Sequence, residues 1–250
     1  MVRIAHLSDL HFGEKTEALA ESLGEDIRAA APDAIAVSGD LTRRASRGEF
    51  EAALSFLGSL GAPLLVVPGN HDIPGQDLWA RLSNPRAGWR SVSAAYPLTV
   101  LEVGGLRLVG LDTVTRAQWH LDWSAGAISD GRRAALVRVL GEGTVLVCHH
   151  PLRHADWASG RRTPRHAERT IELLAAHRVR AVLCGHLHRA EVMALGPHGP
   201  AQIIAPSAFS ARGPGGANGW NLVVVGEGPP RVETRECFGG IWQGRVLPLV

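Results

Sequence analysis

The sequence predicts an α/β domain with two β-sheets and helices packed outside them. Three observations predict it. Through the first third of the chain, short apolar runs alternate with stretches that are apolar at helical spacing. Runs that are apolar at consecutive positions suit parallel strands buried on both faces. The last part carries short apolar runs separated by Gly/Pro clusters with no helical pattern, which reads as antiparallel β. The third is size: 250 residues, 45% of them hydrophobic and 20% charged, suffice for one sizeable core. A single domain over 1–250 is the expectation.

The elements follow in order. Val2–Leu7 is the first apolar run. Leu19, Leu23, Ile27 and Ala30 then mark one face of a helix, which Pro32-Asp33 closes. Ala34–Ser38 is a second run, and Phe50, Ala53, Leu54 and Leu57 a second helix face. Gly61-Ala62-Pro63 breaks that helix before the run Leu64–Val67. Leu98–Val103 and Leu106–Leu111 flank Gly104-Gly105, the pattern of a hairpin. Trp119–Ala127 reads as a loop, and Ser129 as the cap of a helix through Leu140. Thr144–Cys148 is a strand. Thr163-Pro164 reads as an N-cap with proline at the first helical position, ahead of a helix that turns Ala167, Ile171, Leu174 and Ala175 inward. Ala181–Cys184 is the next strand. Gln202–Ala205, Trp220–Val225 and Arg231–Cys237 make up the β-rich end.

Composition narrows the function classes. A net charge of +2 gives no strong pull toward nucleic acid or an anionic membrane. Mean hydropathy is near zero, and no apolar run is long enough to span a bilayer. Three cysteines argue against a disulfide framework. The N-terminus runs directly into a strand-like segment with no signal-peptide core, so the expected location is cytoplasmic. The unusual figure is 12 histidines against one tyrosine, since histidine is the commonest metal ligand.

The chemistry gathers where the apolar strands end. Ser8-Asp9-Leu10-His11 follows the first, and Ser38-Gly39-Asp40 the second. Pro68-Gly69-Asn70-His71-Asp72 follows the third. Cys148-His149-His150-Pro151 follows Thr144–Val147, and Cys184-Gly185-His186-Leu187-His188 follows Ala181–Leu183. In open α/β sheets ligands bind outside the carboxyl ends of the strands, so these loops are expected to converge. Each fragment alone also has a plain reading as a turn, a cap or a solvated pair. Gly-His-x-His says more: in a β-like extension His186 and His188 point to the same side. The conjunction, in order and always at a strand end, carries the argument.

Asp-x-His, Gly-Asp, Gly-Asn-His-Asp, His and Gly-His-x-His in this order resemble the calcineurin-like metallophosphoesterases. His6-Leu7-Ser8-Asp9-Leu10-His11-Phe12-Gly13 and Cys148-His149-His150-Pro151 look most like the bacterial class III cyclic-nucleotide and glycerophosphodiester phosphodiesterase branch. The motifs span residues 9 to 188, and none of their positions is missing. The resemblance implies a four-layer αββα sandwich of two mixed β-sheets flanked by helices, with two metal ions at the strand ends. By the same resemblance Asp9, His11 and His188 hold one ion, Asn70, His149 and His186 the other, and Asp40 bridges them. Either histidine of the 149–150 pair offers a ligand; the family pattern puts it first, at His149. The implied cofactors are two divalent or trivalent ions, Mn, Fe or Zn, which suit carboxylate, imidazole and amide donors. A carboxylate bridge brings two cations to about 3.5–4 Å, and water shared between them becomes a nucleophilic hydroxide near neutral pH. His71 is implied as a catalytic donor to the substrate or leaving group, with Asp72 holding its ring.

The remaining candidates are less specific. Thr42 and Arg43 follow Asp40 and lie near an expected phosphate. Trp119 and Trp123 read as packing or as a cover for the pocket. Arg153, Arg161, Arg162 and Arg165 form a basic stretch, read as a solvated face or as an attractor of anionic substrate. His6 is expected beneath the site. His120 and His154 are surface residues or pocket walls; His166, His177 and His198 are surface residues. Cys148 and Cys184 are expected to pack as small buried hydrophobes. The expected function is hydrolysis of small phosphodiesters, 3′,5′-cyclic nucleotides among them, with a small-molecule phosphate ester as partner and oligomeric state, homo-oligomer included, left open. The alternatives are a phosphomonoesterase or lipid-linked pyrophosphate hydrolase on the same site, a nuclease, and a non-catalytic binding module. For a lipid substrate the expected insertion is the stretch 84–128.

Overall fold

The computed structural model describes residues 1–14, 17–75, 77–98, 100–117, 122, 124–209 and 217–249. The elements in chain order are β1 (Val2–Leu7), α1 (Glu17–Ala29), β2 (Ala34–Val37), α2 (Arg47–Gly58), β3 (Leu64–Val66), α3 (Leu78–Ser83) and α4 (Trp89–Ala95). There follow β4 (Val100–Val103), β5 (Leu106–Leu111), α5 (Asp130–Val137), β6 (Thr144–Cys148), α6 (Ala167–Ala176), β7 (Ala181–Cys184), β8 (Glu191–Ala194), β9 (Ala201–Ile204), β10 (Gly219–Val225), β11 (Arg231–Phe238) and β12 (Ile241–Leu247).

The strands form two six-stranded sheets, in the orders β12-β11-β10-β1-β2-β3 and β4-β5-β6-β7-β9-β8. In the first, β1, β2 and β3 run parallel and β10–β12 complete the sheet antiparallel. In the second, β5, β6, β7 and β9 are parallel, with β4 and β8 antiparallel at the edges.

The period-2 pleat sorts apolar side chains into three cores. Ile4, Ala36, Val145, Val147, Leu183 and Ile203 pack between the two sheets. Their strand neighbours Ala5, Leu7, Ile35 and Val37 face the other way, onto Leu23 and Ile27 of α1 and Phe50 and Leu57 of α2. Leu146, Cys148, Val182 and Cys184 meet Leu136 of α5 and Ile171 and Leu174 of α6. Three cores require four layers, helix–sheet–sheet–helix, as expected. Strands apolar on both faces are the cause. Local chemistry agrees: Ser46 and Glu49 close a capping box on α2, and Ser129 caps α5.

Some expectations need correction. The strand at Gln202 does not belong to the antiparallel end; β9 pairs parallel with β7 in the second sheet. Thr163-Pro164 does not start α6, because the chain bends through His166, at φ 68°, before the helix begins at Ala167. The stretch 84–128 contains α4 and the β4–β5 hairpin. Gly/Pro spacing locates breaks but not the pairing partner of a short strand, which tertiary packing decides. The loop at Trp119–Ala127 falls partly outside the described residues, and Trp119, His120 and Trp123 lie wholly outside them.

Candidate metal centre

Parallel strands carry their following loops to one end of the sandwich. Asp9 and His11 follow β1, Asp40 follows β2, a 3-10 turn at Asn70–Asp72 follows β3, and His149 and His186 follow β6 and β7. These loops turn inward through left-handed backbone. Asp9, His11, Asp40, His186 and His188 are five of nine non-glycine residues with positive φ among those described. Such conformations cost of order 1 kcal/mol or more each and persist where the surroundings over-determine them. His186 and His188 therefore meet through two left-handed turns, at φ 69° and 57°, and not through the β-like extension expected. Close approach also requires glycine: a Cβ at Gly185 would collide with Ser8 Oγ and the Asp9 carboxylate, and one at Gly69 with Asp40.

All seven predicted ligand positions come together. His188 Nε2 lies 3.1 Å from Asp9 Oδ1 and 3.3 Å from His11 Nε2. Asn70 Oδ1 lies 3.0 Å from both His149 Nε2 and His186 Nδ1. Asp40 stands between the two groups, with Oδ2 3.8 Å from His11 Nε2 and 3.4 Å from His149 Nε2. Asp9, His11, Asp40 and His149 are buried. Asp9–His11–His188 and Asp9–Asp40–His149 each bring their donor atoms within 4.8 Å of one another, as a metal ion requires.

The electrostatics call for positive charge. Burial opposes ionisation of Asp9 and Asp40, yet His188 pulls Asp9, and His149 pulls Asp40, below the usual carboxylate range. Burial likewise opposes charge on His149, but Asp40 outweighs it and raises the ring to about 9. His186 goes the other way: burial, then the charge of His149, push it down to about 3. Two buried carboxylates thus need cations beside them, and a metal ion meets that demand while displacing protons from the imidazoles. Mixed carboxylate, imidazole and amide-oxygen donors with no thiolate fit borderline first-row ions.

Hydrogen bonds separate His149 from His150. Ser38 carbonyl, 2.8 Å from His149 Nδ1, can only accept, so Nδ1 carries a proton and Nε2 faces the centre, where a metal ion would displace its proton. His150 is committed at both nitrogens, Nδ1 to Thr113 Oγ1 at 2.7 Å and Nε2 to Ser124 carbonyl at 2.6 Å. Burial and the neighbouring His186 hold its pKa well below the ordinary value.

The expected pairing of Asp72 with His71 is not found. Asp72 accepts from the backbone N–H groups of Leu41, Thr42 and Gly69 and from Thr42 Oγ1, at 2.9–3.2 Å. Its short side chain points back under the β2 and β3 loops. Burial and the nearby Asp40 push its pKa up to about 6 against those donors. The His71 ring is held instead by Arg43 carbonyl, 2.9 Å from Nδ1, while its backbone N–H donates to Asp40 Oδ1 at 2.8 Å. Thr42 supports the loop through His71 carbonyl.

Other expectations resolve simply. His6 lies beneath the centre with Nε2 3.0 Å from Ser38 Oγ, and burial pushes it down to about 3. Cys148 and Cys184 are buried in the outer core, and burial raises the Cys148 thiol to about 12. His154 lines a separate cavity; His166 and His177 flank α6, and His198 is exposed beyond β8, as expected.

The centre opens into a cavity of about 270 Å³ lined by Asp40, Asn70, His71, His186 and His188, with Ser124, Trp157 and Arg161 at its walls. A larger one of about 600 Å³ adjoins it through Asn70, His71 and Ser124 and is walled by Arg43, Arg44 and Arg81. The sequence reading missed Trp157. The signal was an aromatic eight residues past His149 in the next loop. Its Nε1 donates to Glu191 at 2.9 Å, and Arg189 lies over the ring at 4.8 Å.

A four-layer sandwich with buried Asp/His clusters at converging strand ends defines a metal-dependent hydrolase. Residues 2–190 match the calcineurin-like phosphoesterases, and the chain belongs to that family. It is 28% identical over 211 residues to a probable cyclic nucleotide phosphodiesterase of a Synechococcus species, covering 77% of this chain and 76% of that protein. A 3′,5′-cyclic adenosine monophosphate phosphodiesterase of Escherichia coli is 26% identical over 205 residues, 75% of this chain and 70% of that one. Among solved structures, a dimetal phosphatase from Danio rerio superposes with a TM-score of 0.65 at 14% identity, over 98% of both chains. No helix among the described residues is long and apolar enough to cross a membrane.

Proposed function

We propose that the protein is a binuclear-metal phosphodiesterase acting on small diesters, 3′,5′-cyclic nucleotides among them. The observation that carries this is the pair of donor groups, Asp9–His11–His188 and Asn70–His149–His186, with Asp40 between them. Each would hold one Mn, Fe or Zn ion, and Asp40 both. When bound, the ions neutralise phosphate oxygens and bring the pKa of water toward 7 or so.

The chain's own groups do the rest. Asp72 fixes the Asp40 and Asn70 loops through their N–H groups, so the donor positions are set before substrate arrives. His71 gives Nδ1–H to Arg43 carbonyl, which leaves Nε2 to carry a proton to the leaving oxygen. Trp157, anchored by Glu191 and Arg189, offers an aromatic ring at the mouth of the cavity, where a nucleobase suits it. The names of the Synechococcus and Escherichia coli relatives favour the same substrates.

The test is turnover by the Mn-loaded protein on bis(p-nitrophenyl) phosphate, p-nitrophenyl phosphate and 3′,5′-cyclic AMP. Preference for the diesters is expected; preference for the monoester refutes the reading.

One observation favours a second reading, a lipid-linked phosphate ester. Leu78, Trp79 and Leu82 of α3 are exposed, Trp79 at 81%, beside the cavity walled by Arg43, Arg44 and Arg81. This apolar face precedes the 84–128 stretch in which an insertion was expected. Turnover that rises steeply on diester presented in anionic vesicles would favour this reading over the first.

A further inference from the structure

Beyond the metal centre, the basic stretch after His149 lines a cavity of its own. About 570 Å³ in volume, it is walled by Arg153, His154, Ser159, Arg161, Arg162, Thr163 and Arg165. Arg161 also walls the cavity over the candidate metal centre, so the two share that side chain as a boundary. Four arginines therefore line a cavity that meets the one over the candidate metal centre at Arg161.

Their charge is poorly compensated. Arg153 pairs with Glu168 at 2.7 Å. Arg161, Arg162 and Arg165 are exposed and form no salt bridge with any described carboxylate. Two of the three arginines walling the larger adjoining cavity, Arg43 and Arg81, are engaged. Arg43 lies 3.6 Å from Glu14, Arg81 donates to the carbonyls of Arg116 and Pro74, and Asp77 stands in the same wall. A solvated basic face needs no cavity and no continuity with a reaction centre. Guanidinium forks match phosphate oxygens in charge and in geometry, and Ser159 and Thr163, hydroxyl-bearing residues, belong to the same lining.

We propose that this cavity binds a second phosphate of the substrate, remote from the one that is cleaved. The preferred substrate is then a phosphodiester with a further phosphomonoester or diphosphate group, such as a nucleotide phosphorylated at two positions, over a cyclic mononucleotide with a single phosphate. The inference rests on the phosphodiesterase reading for the first phosphate and narrows its substrate class.

Two chromogenic diesters test it: the p-nitrophenyl ester of thymidine 5′-phosphate, and the same ester with an added 3′-phosphate. Metal-loaded wild type should favour the second by about tenfold in kcat/KM at low salt, through KM, as expected for several exposed charge pairs acting together. The ratio should fall with ionic strength, approach one in the Arg162→Glu/Arg165→Glu double variant, and lie between in Arg162→Gln/Arg165→Gln. Thermal melting checks that the variants fold. Calorimetric titration with thymidine 3′,5′-bisphosphate gives a readout without turnover and should show binding that the charge-reversed variant loses. Equal kcat/KM for the two esters, or a preference that survives charge reversal, overturns the second-phosphate site and leaves the phosphodiesterase reading standing. Bisphosphate binding that is lost on charge reversal, with no turnover of either ester, does the opposite.

Discussion

Two polar clusters in this molecule, one half-buried and one buried, are built on opposite plans. At the seam between α1 and the first sheet, Asp26 accepts from Arg235 Nε at 2.7 Å and from Trp220 Nε1 at 2.9 Å, while Arg235 also reaches Glu233 at 3.0 Å. Donors there meet acceptors and charge meets charge. At the strand ends, imidazole nitrogens face one another at 3.3 Å across the His11–His188 pair, and an amide oxygen faces two more at 3.0 Å. The first cluster is complete in itself. The second is complete only with an external cation. A closed cluster adds to stability, whereas an open one is assembled at a cost to stability and serves chemistry.

Substitutions on each side should separate these roles. The largest effect is expected at Asp40→Ala, which should abolish stable metal binding and lower diester turnover by about 10³-fold or more, as read by metal analysis and steady-state rates. An active Asp40→Ala variant would remove the bridging role. His71→Ala should retain metal and lose about 10²–10³-fold in kcat; metal loss instead would make His71 a ligand. His149→Ala should lose about half the metal and most of the activity. His150→Ala, whose ring is already spoken for by Thr113 and Ser124, should retain metal and show mainly a lower Tm. The reverse pattern would exchange the two assignments. Gly185→Ala, which drives a methyl into Ser8 and Asp9, should cost about 1–3 kcal/mol in chemical denaturation. Asp26→Asn gives the complementary result, a loss of about 1–3 kcal/mol with turnover per bound metal unchanged.

The same contrast explains what could be read from the chain. The convergence of the candidate residues was legible because parallel strands deliver their next residues to one end; that Asp9, Asp40, Asn70, His149 and His186 are ligands came from the family resemblance of their motifs. The four-layer stacking followed from strands apolar on both faces, as at Ile4-Ala5 and Leu146-Val147. Side-chain partners at the same site were not legible. Asp72 follows His71 directly, yet its oxygens go to three backbone N–H groups, because a 3-10 turn sends consecutive side chains apart. The left-handed turns at His186 and His188 also left no trace, since positive φ is uncommon even for histidine and carries no pattern in the sequence. The basic stretch at Arg153–Arg165 was legible but not the cavity it walls, and Trp157 was missed, because loop paths depend on packing and not on periodicity.

The central claim is that seven side chains from five strand ends hold two metal ions in each chain. Elemental analysis of purified wild type and of Asp40→Ala, after Mn loading and removal of loosely bound ions, tests it most directly. The account predicts two ions per wild-type chain and fewer than one in the variant. A single ion in wild type, or equal occupancy in both proteins, would contradict it.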